Sequence, residues 1–266
     1  MGKGFGIVFS VMAILVLGGC ADNNEEALEK VQAAAYNSQS IQNAVFSVET
    51  ITENEAEKVE QQVEGGFIKT GEEEYDIYYK SYSGEEGTSA ISEFAVIDGK
   101  EYSRVLVDSE VESDWFSQPE QTDTKNNYIT VFFENEWTTA DIKKVDVSET
   151  NGHTQYEFLM SEAYNERIKA ENVRAVEESI DFMIEKGMDN KTIDMMEEQL
   201  EINQNTDFQE QRVTYLVNEE DFLITADYQS SIIPPDGQAI SFRNISAITD
   251  YRLSDISQLI PVIENE

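Results

Sequence analysis

TSAISEFAVI-DG-KEYSRVLVD, residues 88–108, is the stretch that decides the fold. Two runs rich in β-branched and aromatic residues flank Asp98-Gly99. That dipeptide tolerates the positive φ angles of a tight two-residue turn, so the segment reads as a β-hairpin. The same language extends toward the N-terminus. Ala44, Phe46 and Val48 alternate with polar or smaller residues. Val59, Val63 and Phe67 fall on one face of residues 56–68, opposite Glu60, Gln62 and Glu64. Tyr75, Ile77 and Tyr79 alternate with Asp76, Tyr78 and Lys80. A period of two with one wet face marks strands. Turn signals separate them at Glu53-Asn54-Glu55, Thr70-Gly71 and 83–87. Residues 118–127 read as a loop, and 128–133 fit either a strand or a helical turn. Asn151-Gly152 joins two further strands, 141–148 and 154–160, through what reads as a longer loop.

The period then changes. Between Ser161 and Lys186 the apolar positions Tyr164, Ile168, Val173, Val176, Ile180 and Met183 are spaced three to five apart, giving one helical stripe. Gly187 is a natural stop. Asp189 or Asn190 caps a second helix, in which Ile193, Met196 and Leu200 share a face. The pair reads as a helical hairpin inserted between strands over 161–203. Strands resume at 212–217, 222–228 and 239–251, with a turn at Pro234-Pro235-Asp236-Gly237 and a short apolar tail at 257–263. Antiparallel strands with segregated helices make an α+β class. No internal repeat and no long linker divides the chain.

At the start, Lys3 precedes the apolar run Phe5–Leu17, which is short of the ~20 residues that span a bilayer. Leu17-Gly18-Gly19-Cys20 follows, and then the polar Ala21-Asp22-Asn23-Asn24. This order resembles the lipobox of bacterial lipoproteins. The resemblance implies cleavage before Cys20 and attachment of diacylglycerol to its thiol, which places the protein on the extracytoplasmic face of the cell membrane. Residues 1–19 are then a lipoprotein signal peptide and 20–26 an acylated tether. Residues 27–266 form a single domain opened by an Ala-rich helix at 27–38. Cys20 is the only cysteine, so the fold rests on its core without disulfides.

The whole mature pattern resembles the lipoprotein-carrier superfamily that includes LolA, LolB and LppX-type proteins. Three places carry the resemblance. Ala27-Leu28-Glu29-Lys30-Val31 through Ile41–Phe46 is similar to the opening helix and first strand. Asp98–Tyr102 followed by Trp115 is similar to a recurrent hairpin and tryptophan strand. Tyr251 with Asp255–Pro261 is similar to the closing strand. The family fold implies a large curved antiparallel sheet, an open half-barrel. The N-terminal helix and the helical hairpin would pack on its concave face, with an apolar cavity between sheet and helices. The candidate wall of that cavity is Phe46, Phe67, Tyr75, Tyr79, Phe94 and Tyr102 from the sheet, and Met183, Met196 and Leu200 from the hairpin. The same side chains equally suit a filled core, and the adaptable methionines of the helices suit either role.

Composition narrows the function. With 18 Lys+Arg against 54 Asp+Glu the formal charge is −36, which repels nucleic-acid phosphates and anionic headgroups. Nucleic acid is excluded as a partner. The one histidine, His153, sits at a turn, so a multi-histidine zinc site is impossible. Glu72-Glu73-Glu74 and Glu219-Glu220-Asp221 read as solvated turns rather than calcium ligands. No nucleophile elbow, phosphate loop or dinucleotide fingerprint occurs. The expectation is a protein without enzymatic chemistry, metal or cofactor. It binds or carries a lipid or acyl chain, or it is a cell-surface interaction or regulatory lipoprotein with a filled core.

Overall fold

A computed structural model describes residues 20–71, 74–83, 90–107, 110–111, 114–117, 127–133, 135–235, 237–254 and 259–261. The signal peptide expected over 1–19, Glu72 and Glu73, most of the turn at 83–87, the loop at 118–126, Asp236 and most of the C-terminal tail lie outside the described residues.

In chain order the elements are α1 (Cys20–Ser38), β1 (Asn43–Glu53), β2 (Lys58–Lys69), β3 (Tyr75–Ser83), β4 (Ala90–Ile97), β5 (Lys100–Val107), the short β6 (Glu110–Val111) and β7 (Phe116–Ser117), and α2 (Asn127–Thr130). A 3-10 turn (Thr139–Asp141) leads into β8 (Ile142–Thr150) and β9 (His153–Met160). Then come α3 (Glu162–Glu185), α4 (Asn190–Asn205), β10 (Asp207–Phe208), β11 (Arg212–Val217), β12 (Leu223–Ile233) and β13 (Ile240–Tyr251). The strands form one curved, open antiparallel sheet in the order β6-β5-β4-β3-β2-β1-β13-β12-β11-β9-β8, with β7 paired to β5 and β10 to β12. The first and last long strands, β1 and β13, meet at its middle.

Turn chemistry fixes the register. Asp98 and Gly99 have φ of 49° and 72°, so Ile97 pairs with Lys100. Asn151 and Gly152 have φ of 52° and 80° and make an equally tight turn, with Thr150 opposite His153. The turn is thus shorter than the loop its sequence suggests. Residues 127–133, ambiguous in sequence, form a helical turn followed by a bend. The helix at the N-terminus also starts earlier than its alanines imply. Residues 20–26 are its first turns, where Glu25 and Glu26 suit the positive end of the helix dipole. Asn24 Nδ2 donates to the Ile142 carbonyl at 3.4 Å and ties that end to β8.

The inner, helix-covered face of the sheet carries two adjoining cores. Ala27, Leu28, Val31, Ala34 and Ala35 of α1 bury against Phe158, Val213, Tyr215, Leu223 and Ala226. Beside them, Ile129, Phe132 and Phe133 cap Ala44, Phe46, Val48, Val63, Phe67 and Ile77. The two cores lie under α1 and the 129–133 segment. Gly65 lies opposite Phe46 across the β1–β2 pair. A Cβ there would sit 2.8 Å from Phe46 Cζ and 2.4 Å from the Tyr78 carbonyl, so only glycine lets that ring lie flat on the sheet.

The two ends of the sheet differ. At one end the Ser38 hydroxyl accepts from Leu223 N at 2.9 Å, closing the C-terminus of α1 onto β12. At the other end β9 and β12 finish, β11 and β13 begin, α1 starts, and the α3–α4 hairpin leaves the sheet. We call this the hairpin end.

Candidate functional site

Ser161 caps α3 by accepting from Tyr164 N, and Asp189 caps α4 by accepting from Thr192 N. Tyr164 and Ile180 are the buried residues of α3, and α4 has none. The principal tertiary contacts of α3 are with α4 and with the 3-10 turn. The hairpin therefore meets the inner face of the sheet near its base rather than along its length. The base is fastened by polar bonds. Asn165 Nδ2 donates to the Gln209 carbonyl at 3.0 Å, and Gln211 Nε2 donates to Asn165 Oδ1 at 2.9 Å. Lys169 Nζ donates to the Thr206 carbonyl at 2.8 Å, and Arg167 pairs with Asp141 at 3.2 Å.

Between this base and the inner face of β12 and β13 lies a cavity of about 440 Å³. Its apolar wall is Ile168 of α3, Ile202 of α4, Phe208 of β10, Ile232, Ile240 and Phe242. Register places them together: Ile232 pairs with Ile240 and with Phe208, and Ser230 pairs with Phe242. No charged side chain lines it, in a chain that is 27% charged. Four of its six side-chain amides and hydroxyls, those of Gln199, Asn203, Thr206 and Gln211, are bonded within the chain, and Asn172 and Ser230 complete its polar lining. Gln199 bonds Asn203 at 2.8 Å, Gln211 bonds Asn165, and Thr206 donates to the Ile202 carbonyl at 2.8 Å. Polar groups already paired lose little when water leaves, so the space suits an apolar guest of modest size.

The candidate residues from sequence fall elsewhere. Phe46 and Phe67 are fully buried in the core. Tyr75 stacks on Phe133 with ring centroids 5.5 Å apart, and Phe67 meets both rings edge-on. Tyr79 and Phe94 stack 5.1 Å apart on the inner face, half-buried. Tyr102 pairs with Ala95, which pairs with Tyr78, and this row lies on the outer face. Tyr102 therefore stands across the sheet from any space under the helices. Met183, Met196 and Leu200 are half-buried on the helical hairpin, and none of the nine lines the cavity. Of its apolar wall, the sequence singled out only Ile168, through the α3 stripe. Ile240 and Phe242 were hidden because the inner face of β13 runs on through Asn244 and Ser246, and Ile232 because the same face of β12 carries Tyr228 and Ser230, which breaks the apolar alternation.

A polar cluster occupies the outer face. Glu93 is 1% exposed and accepts from Tyr78 Oη at 2.6 Å, from Lys80 Nζ at 2.9 Å and from Arg104 Nε. Trp115 roofs it, with the Arg104 guanidinium 4.5 Å from its ring centroid. Burial pushes the Glu93 carboxyl up, but the bonds from Tyr78, Arg104 and Lys80 outweigh it and hold the group below its usual range. Every partner is supplied from within the chain, so the cluster reads as structural. Near the cavity, burial pushes the Tyr164 phenol up to about 12, and burial also raises Tyr215 and Tyr228, whose hydroxyls share a bond of 2.8 Å. These phenols stay neutral at ordinary pH and act as packing. His153 is at its expected turn, with Nδ1 buried and without a hydrogen-bond partner. Among the described residues no group of three or more His, Cys, Asp or Glu stands ready for a metal, and no helix is long and apolar enough to cross a membrane.

No protein-family model and no curated protein matches the sequence. Solved structures do. LprF from Mycobacterium bovis is similar over 91% of this chain and 97% of its own, at 10% identity and a TM-score of 0.35. A DUF1329 family protein from Desulfovibrio piger covers 90% and 97%, at 8% identity and 0.29. An outer membrane lipoprotein-sorting protein domain from Vibrio parahaemolyticus covers 88% and 95%, at 7% identity and 0.27. The curved open antiparallel sheet with helices on one face is the fold that the sequence resemblance implies. Likeness at this level concerns the arrangement of elements alone. Function is argued from the cavity.

Proposed function

We propose that this protein is an extracytoplasmic lipoprotein, anchored to the cell membrane by diacylglycerol on Cys20, that binds or carries an apolar ligand such as a lipid or acyl chain without chemistry of its own. The observation that carries the reading is the uncharged cavity of about 440 Å³ between the hairpin base and β12–β13. Such a space takes a ligand by apolar burial, with few polar groups to fix orientation. The anchor rests on Leu17-Gly18-Gly19-Cys20 and its upstream apolar run. Two acyl chains suffice for stable attachment.

The test is a titration of the full chain with a fluorescent fatty alcohol, beside Ile232→Asp. The carboxylate would stand unpaired against the bound chain, so affinity should fall at least about tenfold, while circular dichroism stays that of the parent. Equal binding by parent and variant contradicts the site.

A filled-core interaction protein is the second reading. The close packing beneath α1 and the 129–133 segment, where Phe46, Phe67 and Phe158 are fully buried, favours it. Absence of probe binding to the unsubstituted chain would select it.

A further inference from the structure

The sheet orients the molecule relative to its anchor. α1 begins at Cys20, and its first turns are tied to the start of β8 through Asn24. Ile142 of β8 pairs with Met160, the last residue of β9, and α3 departs two residues later. Cys20, the hairpin and the cavity therefore share one end of the sheet. The apolar run of residues 5–17 precedes that same point. At the far end of the hairpin four large apolar side chains are exposed: Phe182 by 57%, Ile184 by 56%, Met188 by 43% and Met195 by 62%. They occupy the last turn of α3, the connection and the first two turns of α4. Water contact on this scale within one short stretch marks an interaction surface.

Resting on the anchored reading above, we propose that the hairpin tip lies on the bilayer that holds Cys20, with these side chains in the acyl boundary, so that the cavity opens beside the membrane from which its ligand comes. The lipid should be one without net charge. Asp181, Glu185, Asp194 and Glu197 surround the tip and outnumber Lys186 and Lys191, so attachment is apolar and anionic headgroups oppose it.

The experiment uses the full chain, purified from membranes in detergent and reconstituted through its own anchor. Phe182→Trp and, separately, Met195→Trp place an indole at exposed positions, where the fold tolerates it. Vesicles are phosphatidylcholine, with or without bromine on the acyl chains. The added indole should emit at shorter wavelength on vesicles and lose most of its intensity to brominated lipid. Trp115 and Trp137 of the unsubstituted chain should not. Phosphatidylglycerol vesicles should quench less, and stronger quenching there would overturn the apolar basis. Indoles that emit as in water, on protein that floats with the vesicles, overturn the proposal and leave the anchor standing. Protein that does not float overturns both.

Discussion

Two parts of one sheet face were treated differently by the chain. Under α1 and the 129–133 segment, Phe46, Phe67, Phe132 and Phe158 are fully buried. A few residues along, where β12 ends and β13 begins, the same face carries Ile232, Ile240 and Phe242 and leaves about 440 Å³ open. The strands supply apolar residues in both places. What differs is the cover. α1 brings Ala34 and Ala35 flat against the sheet, and small residues allow close approach. The hairpin is instead fastened at its base by polar bonds, Asn165 to Gln209 and Gln211, while Lys169 bonds the Thr206 carbonyl at the end of α4. An apolar strand face specifies burial, and the element laid over it decides between core and cavity.

The largest test of that contrast is in the filled half. Phe46→Ala removes a ring seated on Gly65 and leaves a void that neighbours cannot close. It should cost about 3–5 kcal/mol, read as a lowered denaturation midpoint with an unchanged slope. The matching change at the open end, Ile240→Ala, should cost about 1 kcal/mol, below the usual 2–5 for a buried isoleucine, because that side chain already faces space. It should also weaken the fatty-alcohol probe. Equal costs at the two positions would erase the distinction between core and cavity.

The outer face sharpens the comparison, since there a polar cluster takes the place of apolar filling. Glu93→Ala strips Tyr78 of its acceptor and leaves Arg104 and Lys80 to solvent. The expected loss is about 1.5–3 kcal/mol, with no change in probe affinity. The linked pH effect follows from the lowered carboxyl. Its contribution is present above the ordinary value of about 4 and is lost as pH falls through the folded one. Acid denaturation of Glu93→Ala should therefore be shallower than that of the parent.

The smallest effect concerns alkali. Tyr164 is raised to about 12, and Tyr215 and Tyr228 are raised by burial. The contribution of Tyr164 is complete below pH about 10 and is lost as pH rises toward 12, and those of Tyr215 and Tyr228 are lost in the same direction. Tyr164→Phe should flatten that loss, measured by thermal melting across this window.

Much of the fold was legible in the sequence because its signals are local. Asp98-Gly99 specifies a hairpin within four residues, and the stripe from Tyr164 to Met183, with Gly187 as stop and a cap at Asp189 or Asn190, specifies two helices. What local pattern does not encode is which element covers which face. The aromatic residues of β1–β3 look alike as core or cavity wall, and the order that brings 129–133 over them is a long-range choice. Tyr102 shows a second limit. Its apolar character is plain, yet its face is set by register through β4 and β3. The cavity wall was least legible, because Ile202, Phe208, Ile232 and Ile240 come from four elements brought together by the pairing of β10 and β13 with β12 and by the polar bonds at the hairpin base.

The most direct measurement is a crystal of the full chain grown with a terminally brominated long-chain alcohol, with the bromine located by anomalous scattering. The account expects the bromine peak among Ile168, Phe208, Ile232 and Ile240. A peak between α1 and the sheet, or density for a packed cavity with no bromine in it, would contradict it.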